Sequence, residues 1–538
     1  MMQTPLLLND LLKRAEMYYA HKEIISRTSD TMTHRLTYGE WGKRTRKLAH
    51  ALTKLGMNQG DKVASFAWNQ HRHLEAYFAV PCAGAVLHMV NIRLSAEHIS
   101  YIINHAEDEI ILIDQDLVPL IEEIQLELKT VKHFVIMADG DLPETTLPNA
   151  LSYEKLLEEA DENFEFPTNI DENAPASMCY TSATTGNPKG VVYTHRSLVL
   201  HSTMLSMVDT MGIGERDVIM PIVPMFHVNA WGMPFAGVNV GATQVLIGPQ
   251  FTPGLILDVI EQYGVTKTAG VPTIWLGVVQ EMEKRARDLS KLQTIFCGGS
   301  ASPKGLIRTF EEKFGVNYVV VYGMTETSPI VSLSNYLAKM DDWSVRDQID
   351  ARAMQGLTVP GIESSIVNEE GEVPWDGETM GELRLRGPWI ASEYYQDERT
   401  AEAFKDGWLY TGDIAVRSKE GFIKITDRTK DLIKSGGEWI SSVELENALM
   451  SHDAIFEAAV IAIPHPKWQE RPLACVVLKE GVEVSKEELM AFLADQFAKW
   501  WMPDDIVFLE EIPKTSVGKF LKAKLRENVK EIYPQLSF

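Results

Sequence analysis

Through the first four hundred residues, short apolar runs alternate with stretches of helical period, and that alternation restricts the chain to few folds. The runs KVASFAW (62–68), DEIILID (108–114), HFVIMA (133–138) and TQVLIG (243–248) are strand-like. GLILDVIEQYG (254–264) and KGLIRTFEEKFG (304–315) carry apolar residues at helical spacing. Strands and helices in alternation cover both faces of a largely parallel sheet, so the pattern predicts layered α/β architecture. Next come GELRLRG, GWLYTGD and GFIKITD, short strands parted by glycine–aspartate turns, which predict a small β-region. DRTKDLIKSGGEW, with six charges and two glycines, reads as a hinge. Beyond it follow a helix (443–450), the strands EAAVIAIP (457–464) and LACVVLK (473–479), a helix (486–499), the strand DIVFLEE (505–511) and a last helix. That is enough for a compact α+β unit. The expected division is a large N-terminal domain over 1–428, a hinge over 429–434 and a small mobile C-terminal domain over 435–538.

Charge narrows the partners. A net charge of -24 on 538 residues argues against nucleic acid and against an anionic membrane surface. A polyanionic ligand must then be gripped by a local basic site. Four scattered cysteines, Cys82, Cys179, Cys297 and Cys475, without a CxxC pair, fit a reducing, cytoplasmic setting and no disulfide framework. His71 and His73 form an HRH string with no third ligand nearby, so no metal site is expected there. The N-terminal MMQTPLLLNDLLKRAEMYYA reads as an amphipathic surface helix and not a signal peptide. The uncharged stretch 231–248 is interrupted by Pro, Asn, Gln and four glycines, which disfavours a membrane helix.

The loop YTSATTGNPKG (180–190) concentrates small hydroxyl residues, glycines and one lysine between ASMCY and GVVYT, both strand-like. A helix is expected to begin at Ser197, a good N-cap. The loop is not a Walker phosphate loop: GxxxxGK(S/T) is absent, and Lys189 leads through Gly190 into a strand rather than a helix. Its backbone N–H groups with Thr181, Ser182, Thr184 and Thr185 can still cradle an anion, with Lys189 supplying charge. A plain polar hairpin turn is the competing reading.

The whole string resembles the phosphate-binding signature of adenylate-forming enzymes, (S/T)SG(S/T)TGxPKG. Further strings like that superfamily's motifs follow in order: VPMFHVNAWG (223–232), CGGSASP (297–303), YGMTETSP (322–329), GWLYTGD (407–413), ITDRTKDLIKSGGEWIS (425–441) and PKTSVGK (513–519). The segment from GWLYTGD to SGGEW is most similar to fatty acyl-CoA synthetases. Ala183 departs from the pattern, which has glycine there; a negative φ at Ala183 is expected.

The resemblance implies an ATP-dependent acyl-CoA synthetase. A carboxylic acid and ATP give acyl-AMP and pyrophosphate, and coenzyme A then takes the acyl group after a domain rotation. Joining two anions demands offsetting positive charge, part of it from Mg²⁺. The resemblance assigns Glu326 and Thr181 to the metal. Nucleotide contacts fall to Thr181, Ser182, Thr184, Thr185, Gly186, Lys189, Gly299, Ser300, Tyr322, Gly323 and Thr325. Asp413 and Arg428 are assigned to the ribose, with Lys430, Lys434 and Trp439 as conformer-dependent contacts. Lys519 is the implied catalytic lysine of the first step, and Lys522 and Lys524 read as an ordinary basic helix start. Lys430 matches the hinge, and Ser435, Gly436 and Gly437 would line the CoA path.

His227 is placed beside the carboxylate, with Trp231 and Gly298 in the acyl pocket. Phe226-His227 stands where amino-acid-activating relatives carry Phe-Asp, so an amino acid is not expected. A fatty acid leads. Short, sulfur-containing and aryl acids, and an acyl-AMP ligase serving another acceptor, stay open. A luciferase-like oxygenase and a non-catalytic sensor of the same pocket are the readings from other classes. The partners implied are small molecules, with no integral membrane segment; a homodimer follows from the resemblance alone.

Overall fold

The run DEIILID forms the strand Ile110–Asp114, whose five residues are all buried. A strand covered on both faces has no polar side to alternate with, hence its continuous hydrophobicity. It lies inside a seven-stranded sheet ordered Ala150–Ser152, His133–Met137, Ile110–Asp114, Lys62–Phe66, Val86–Met89, Pro175–Tyr180 and Gly190–Thr194. Its pairs are parallel except the last, an antiparallel hairpin. The computed structural model describes residues 1–181, 186–436, 438–514 and 520–532.

A nine-stranded sheet runs from Leu357–Thr358 through Ile330–Leu333, Asn317–Gly323, Thr294–Gly298, Lys267–Gly270, Val218–Pro221, Thr243–Leu246 and Glu23–Arg27 to Thr33–Thr37. Its middle is parallel and both edges are antiparallel. Helix His71–Cys82, buried along its whole length, shares one apolar core with the helices His195–Leu205 and Met233–Val240. His71 and His73 belong to that core: His73 bonds Ser65 Oγ and the Trp68 carbonyl, each at 3.0 Å. Helix Leu8–Tyr18 buries Leu8, Leu11, Leu12 and Ala15, the single face expected of an amphipathic helix.

The helix after the hairpin starts at His195, two residues before the expected Ser197. Thr194 is the cap: Ser197 N–H donates to Thr194 Oγ1 (3.1 Å) and Thr194 N–H to Ser197 Oγ (3.0 Å). This reciprocal box satisfies two orphan donors where a cap at Ser197 would satisfy one.

The third sheet is antiparallel and contains Glu363–Asn368, Gly381–Arg386, Trp408–Arg417 and Ile423–Arg428. The fourth begins at Ile433 and pairs Ile455–His465, Gln469–Leu478 and Asp505–Phe508. Helices Ser442–Met450, Lys486–Ala494 and Lys522–Ile532 accompany it. The middle helix ends before the expected residue 499, because the N–H groups of Gln496 and Phe497 both turn back to the Leu493 carbonyl.

Between the third and fourth sheets lies a buried polar cluster. Asp427 Oδ2 accepts from Ser442 N (2.7 Å) and Ser442 Oγ (2.6 Å). Lys522 Nζ donates to Ser442 Oγ at 2.5 Å and pairs with Glu446 at 2.6 Å. Lys522 is thus no ordinary basic helix residue; it is a buried counter-ion. Lys524 is exposed, beside Glu527 at 3.0 Å, as expected of one.

Replacing Lys522 by Met strands buried carboxylates, and unfolding titrations should show a loss of about 3–5 kcal/mol in the small domain. Burial also holds His73 and His195 down to about 4 and His201 to about 3. Because the folded values lie below the unfolded one, the unfolded chain binds more protons as pH falls from about 6.5. Stability should then drop by about 1.4 kcal/mol per pH unit per histidine down to about pH 4, and His73→Gln should flatten the slope in urea melts.

Candidate active site

The hairpin Pro175–Tyr180 and Gly190–Thr194 presents the glycine-containing loop. Its neck is closed by Thr181 N–H to the Lys189 carbonyl (2.9 Å) and Lys189 N–H to Thr181 Oγ1 (3.1 Å). Gly186 has φ +71°, a conformation that suits glycine. Ser182, Ala183, Thr184 and Thr185 lie outside the described residues, and the expectation for φ at Ala183 with them.

YGMTET begins on the last two residues of the strand Asn317–Gly323 and continues into a tight turn, Thr325–Thr327. Tyr193 on the hairpin donates its hydroxyl to the Thr325 carbonyl (2.8 Å), locking the turn against the loop. Glu326 is 4% exposed. The segment 387–400, leaving the third sheet, runs between turn and hairpin as a strap. Ala391 N–H donates to the Glu326 carbonyl (2.8 Å), Tyr395 N–H to the Gly190 carbonyl (2.9 Å), and Arg399 Nη1 to the Asn187 carbonyl (3.0 Å). Tyr394 on the strap donates its hydroxyl to Glu326 Oε1 (2.7 Å) and accepts from Lys189 Nζ (2.7 Å). Lys189 Nζ stands 4.0 Å from Glu326 Oε1. Burial pushes the Lys189 ammonium down and the Tyr394 phenol up, the latter with help from Glu326. Tyr394 escaped the sequence reading, since SEYYQD has no periodicity and only the paired tyrosines in a polar loop hint at a role.

Tyr322 donates its hydroxyl to Asp413 Oδ2 (2.6 Å), while Arg428 Nε is 3.2 Å from Asp413 Oδ1. Asp413 and Arg428 are cross-strand partners, so the sheet itself sets their pairing. Asp413 holds the Arg428 guanidinium up, and burial holds the Tyr322 phenol up. Gly298 pairs with Val321, which brings Gly299, at φ +88°, and Ser300 alongside Tyr322. A side chain at Gly323 would lie 2.0 Å from the Pro329 carbonyl oxygen, so only glycine fits.

The FHVNAWG segment holds a feature the sequence did not signal. Val228, Asn229, Ala230, Trp231 and Gly232 all have positive φ, between 46° and 77°, forming one left-handed turn. Four of the five carry a Cβ, and each such residue costs roughly 1–2 kcal/mol. The N–H groups of Val228 and Asn229 are directed at the Cys179 sulfur, which burial pushes up to about 12. Trp231, 7% exposed, is thereby set against Gly298, where an added Cβ would be 3.1 Å from the ring. His227 enters this turn in extended conformation, its N–H donating to the Pro224 carbonyl (3.0 Å).

Lys434, Ser435, Gly436 and Trp439 sit on the hairpin Ile433–Ile440 of the fourth sheet. Lys434 Nζ lies 5.0 Å from the Trp439 ring and both side chains are exposed. Ser435 is buried and accepts from Arg471 Nη1 (3.0 Å). Gly436 has φ +64°, and a Cβ there would come within 2.7 Å of Trp468. Lys430, pushed down by burial and by Arg428, lines a cleft of about 360 Å³ with Glu470, Arg526 and Lys530. Gly437 and Lys519 lie outside the described residues.

Gly298→Ala would bring its Cβ within 2.4 Å of the Val321 carbonyl oxygen as well as 3.1 Å of the Trp231 ring, so it should disturb the strand that carries Tyr322 together with the ring. Trp231→Ala removes the ring alone, and its expected signature is at least tenfold weaker acid binding with the ATP affinity kept, measured by separate titrations.

The profile of a family described as AMP-binding enzyme matches residues 12–395, and that of the AMP-binding enzyme C-terminal domain matches 444–519. A long-chain-fatty-acid–CoA ligase of Thermus thermophilus is 50% identical, over 99% of this chain and 97% of its own. A 3-methylmercaptopropionyl-CoA ligase of Ruegeria lacuscaerulensis is 44% identical, over 99% and 98%. A crystal structure of the anthranilate CoA ligase AuaEII in complex with anthranoyl-AMP superposes with a TM-score of 0.89 at 26% identity, covering 99% of both chains. The chain belongs to the AMP-binding enzyme family.

Proposed function

We propose that the protein is an ATP-dependent acyl-CoA synthetase that activates a fatty acid in two steps. In the first, a carboxylate oxygen attacks the α-phosphorus of ATP and pyrophosphate leaves, forming acyl-AMP. In the second, the CoA thiol attacks the acyl carbon and AMP leaves. The observation that carries this reading is the convergence of Lys189, Glu326 and Thr325 beside the Tyr322–Asp413–Arg428 group, an arrangement that suits phosphate and a cation next to a ribose.

Asp413 would accept the ribose hydroxyls with Arg428 behind it, and Tyr322 would face the adenine across Gly299 and Ser300. Thr325 and Lys189 would bind phosphate oxygens. Glu326 offers a carboxylate, and no cluster of three or more ligating side chains occurs among the described residues. That donor set fits magnesium, which is held mainly by phosphates with one or two carboxylates. When bound, the ion supplies positive charge to the departing pyrophosphate. Lys519 would supply the same to the reacting oxygens.

The reading includes a hinge at 429–434, between a domain over 1–428 and a smaller one over 435–538. A rotation about Lys430 would withdraw Lys519 and bring Ser435, Gly436 and Gly437 to the thiol path. Lys434 and Trp439, exposed on that hairpin, would then meet the nucleotide. Trp231 would close the acyl pocket and His227 would sit beside the carboxylate. The acid is a fatty acid, as the name of the Thermus relative suggests. Four buried unpaired cysteines suit a cytoplasmic location, and no described helix is long and apolar enough to cross a membrane. A homodimer rests on the resemblance alone.

The test is product identity with a fatty acid, ATP, Mg²⁺ and CoA. AMP, pyrophosphate and acyl-CoA are expected in equal amounts; ADP and phosphate would contradict the reading. Lys519→Ala should lower acyl-AMP formation by at least a hundredfold while leaving thioester formation from supplied acyl-AMP within about threefold.

A further inference from the structure

Lys189 and Glu326 carry opposite charges, face each other in a half-buried site, and do not touch. Their separation of 4.0 Å is filled by one hydroxyl, 2.7 Å from each. An ammonium can only donate and a carboxylate can only accept. The Tyr394 proton therefore points to Glu326 Oε1, and its lone pair receives the Lys189 proton.

The ring is held for this task. Tyr394 N–H donates to Thr400 Oγ1 (3.0 Å), and its ring packs edge-on against Phe404 at 5.2 Å. Lys189 Nζ also lies 3.9 Å from the centre of that ring, a second restraint on the ammonium. The strap is hydrogen-bonded at once to the Glu326 carbonyl and to Gly190, next to Lys189. Withdrawing the strap from the gap would break its backbone bonds to Glu326 and to Gly190, next to Lys189.

We infer that Tyr394 is a positioning residue of the phosphate and metal site, a spacer that keeps Lys189 and Glu326 from collapsing into a direct ion pair. The inference rests on the proposed nucleotide reading. Contact at about 2.8 Å would strengthen their attraction by about 1.4-fold over the present distance. Each would then neutralise the other, and a phosphate and its cation would have to separate them before binding. With the spacer in place, the ammonium stays available to phosphate and the second carboxylate oxygen to the metal.

Tyr394→Phe keeps the ring and removes the hydroxyl. Binding of MgATP is measured by calorimetry without acid or CoA, on wild type, Y394F, K189M and Y394F/K189M. Thermal melting of each is recorded, and KM values are measured on wild type and Y394F. The spacer role requires that Y394F bind MgATP about tenfold more weakly and need correspondingly more Mg²⁺ for half-maximal rate. Acid and CoA KM values should stay within about twofold, and Y394F/K189M should bind no more weakly than K189M. Equal binding by Y394F and wild type overturns the inference. So does a further tenfold loss in the double variant, which would show a role independent of Lys189, or a loss that tracks a lowered melting temperature. A wild type that binds no MgATP overturns the nucleotide reading itself and the spacer with it.

Discussion

A chain of net charge -24 that joins two anions must build its own positive site and keep it from being cancelled. The structure meets this constraint with cations held beside carboxylates rather than in contact with bulk field. Lys189 is tethered to Glu326 through Tyr394, and Arg428 is paired with Asp413, which also receives the Tyr322 hydroxyl. Each cation has a carboxylate within reach before a ligand arrives, which offsets part of the desolvation cost of burying it. A nucleotide would replace weak internal pairings with stronger ones to phosphate and ribose, and the carboxylates would turn to metal and sugar.

The fold delivers these groups by one rule. The loop after Tyr180, the glycines after Cys297, the turn after Gly323 and the left-handed turn beyond Pro221 all follow the carboxyl ends of strands in the two large sheets. Crevices at such ends are where open α/β sheets bind ligands. The third sheet adds Asp413, Arg428 and the strap, and so joins the hairpin to the YGMTET turn. The Cys179 sulfur and the Tyr193 hydroxyl extend that joining to the left-handed turn at 228–232, so the hairpin, the YGMTET turn and that turn share one buried support.

Much of this was legible in the residues. Buried strands such as Ile110–Asp114 announce themselves because nothing polar can sit on either face. The motif residues were read from a family resemblance, and for one of them the structure gives the physical reason: an added Cβ at Gly323 would lie 2.0 Å from the Pro329 carbonyl oxygen. What stayed hidden depends on tertiary contact. Tyr394 and Lys522 look like ordinary polar-segment residues until partners from distant segments surround them. The left-handed turn at 228–232 lacks a sequence marker before Gly232, because its buried residues are held by tertiary packing rather than by propensity. Thr194 displaced Ser197 as the cap since both hydroxyls were eligible and only the turn's geometry chose between them.

The central claim is that carboxylate and ATP react directly, before CoA takes part. Acid-dependent exchange of labelled pyrophosphate into ATP, measured without CoA, tests it most directly. The account predicts exchange that requires both Mg²⁺ and a fatty acid. Exchange that appears only after CoA is added, or none with any carboxylic acid while thioester still forms, would contradict it.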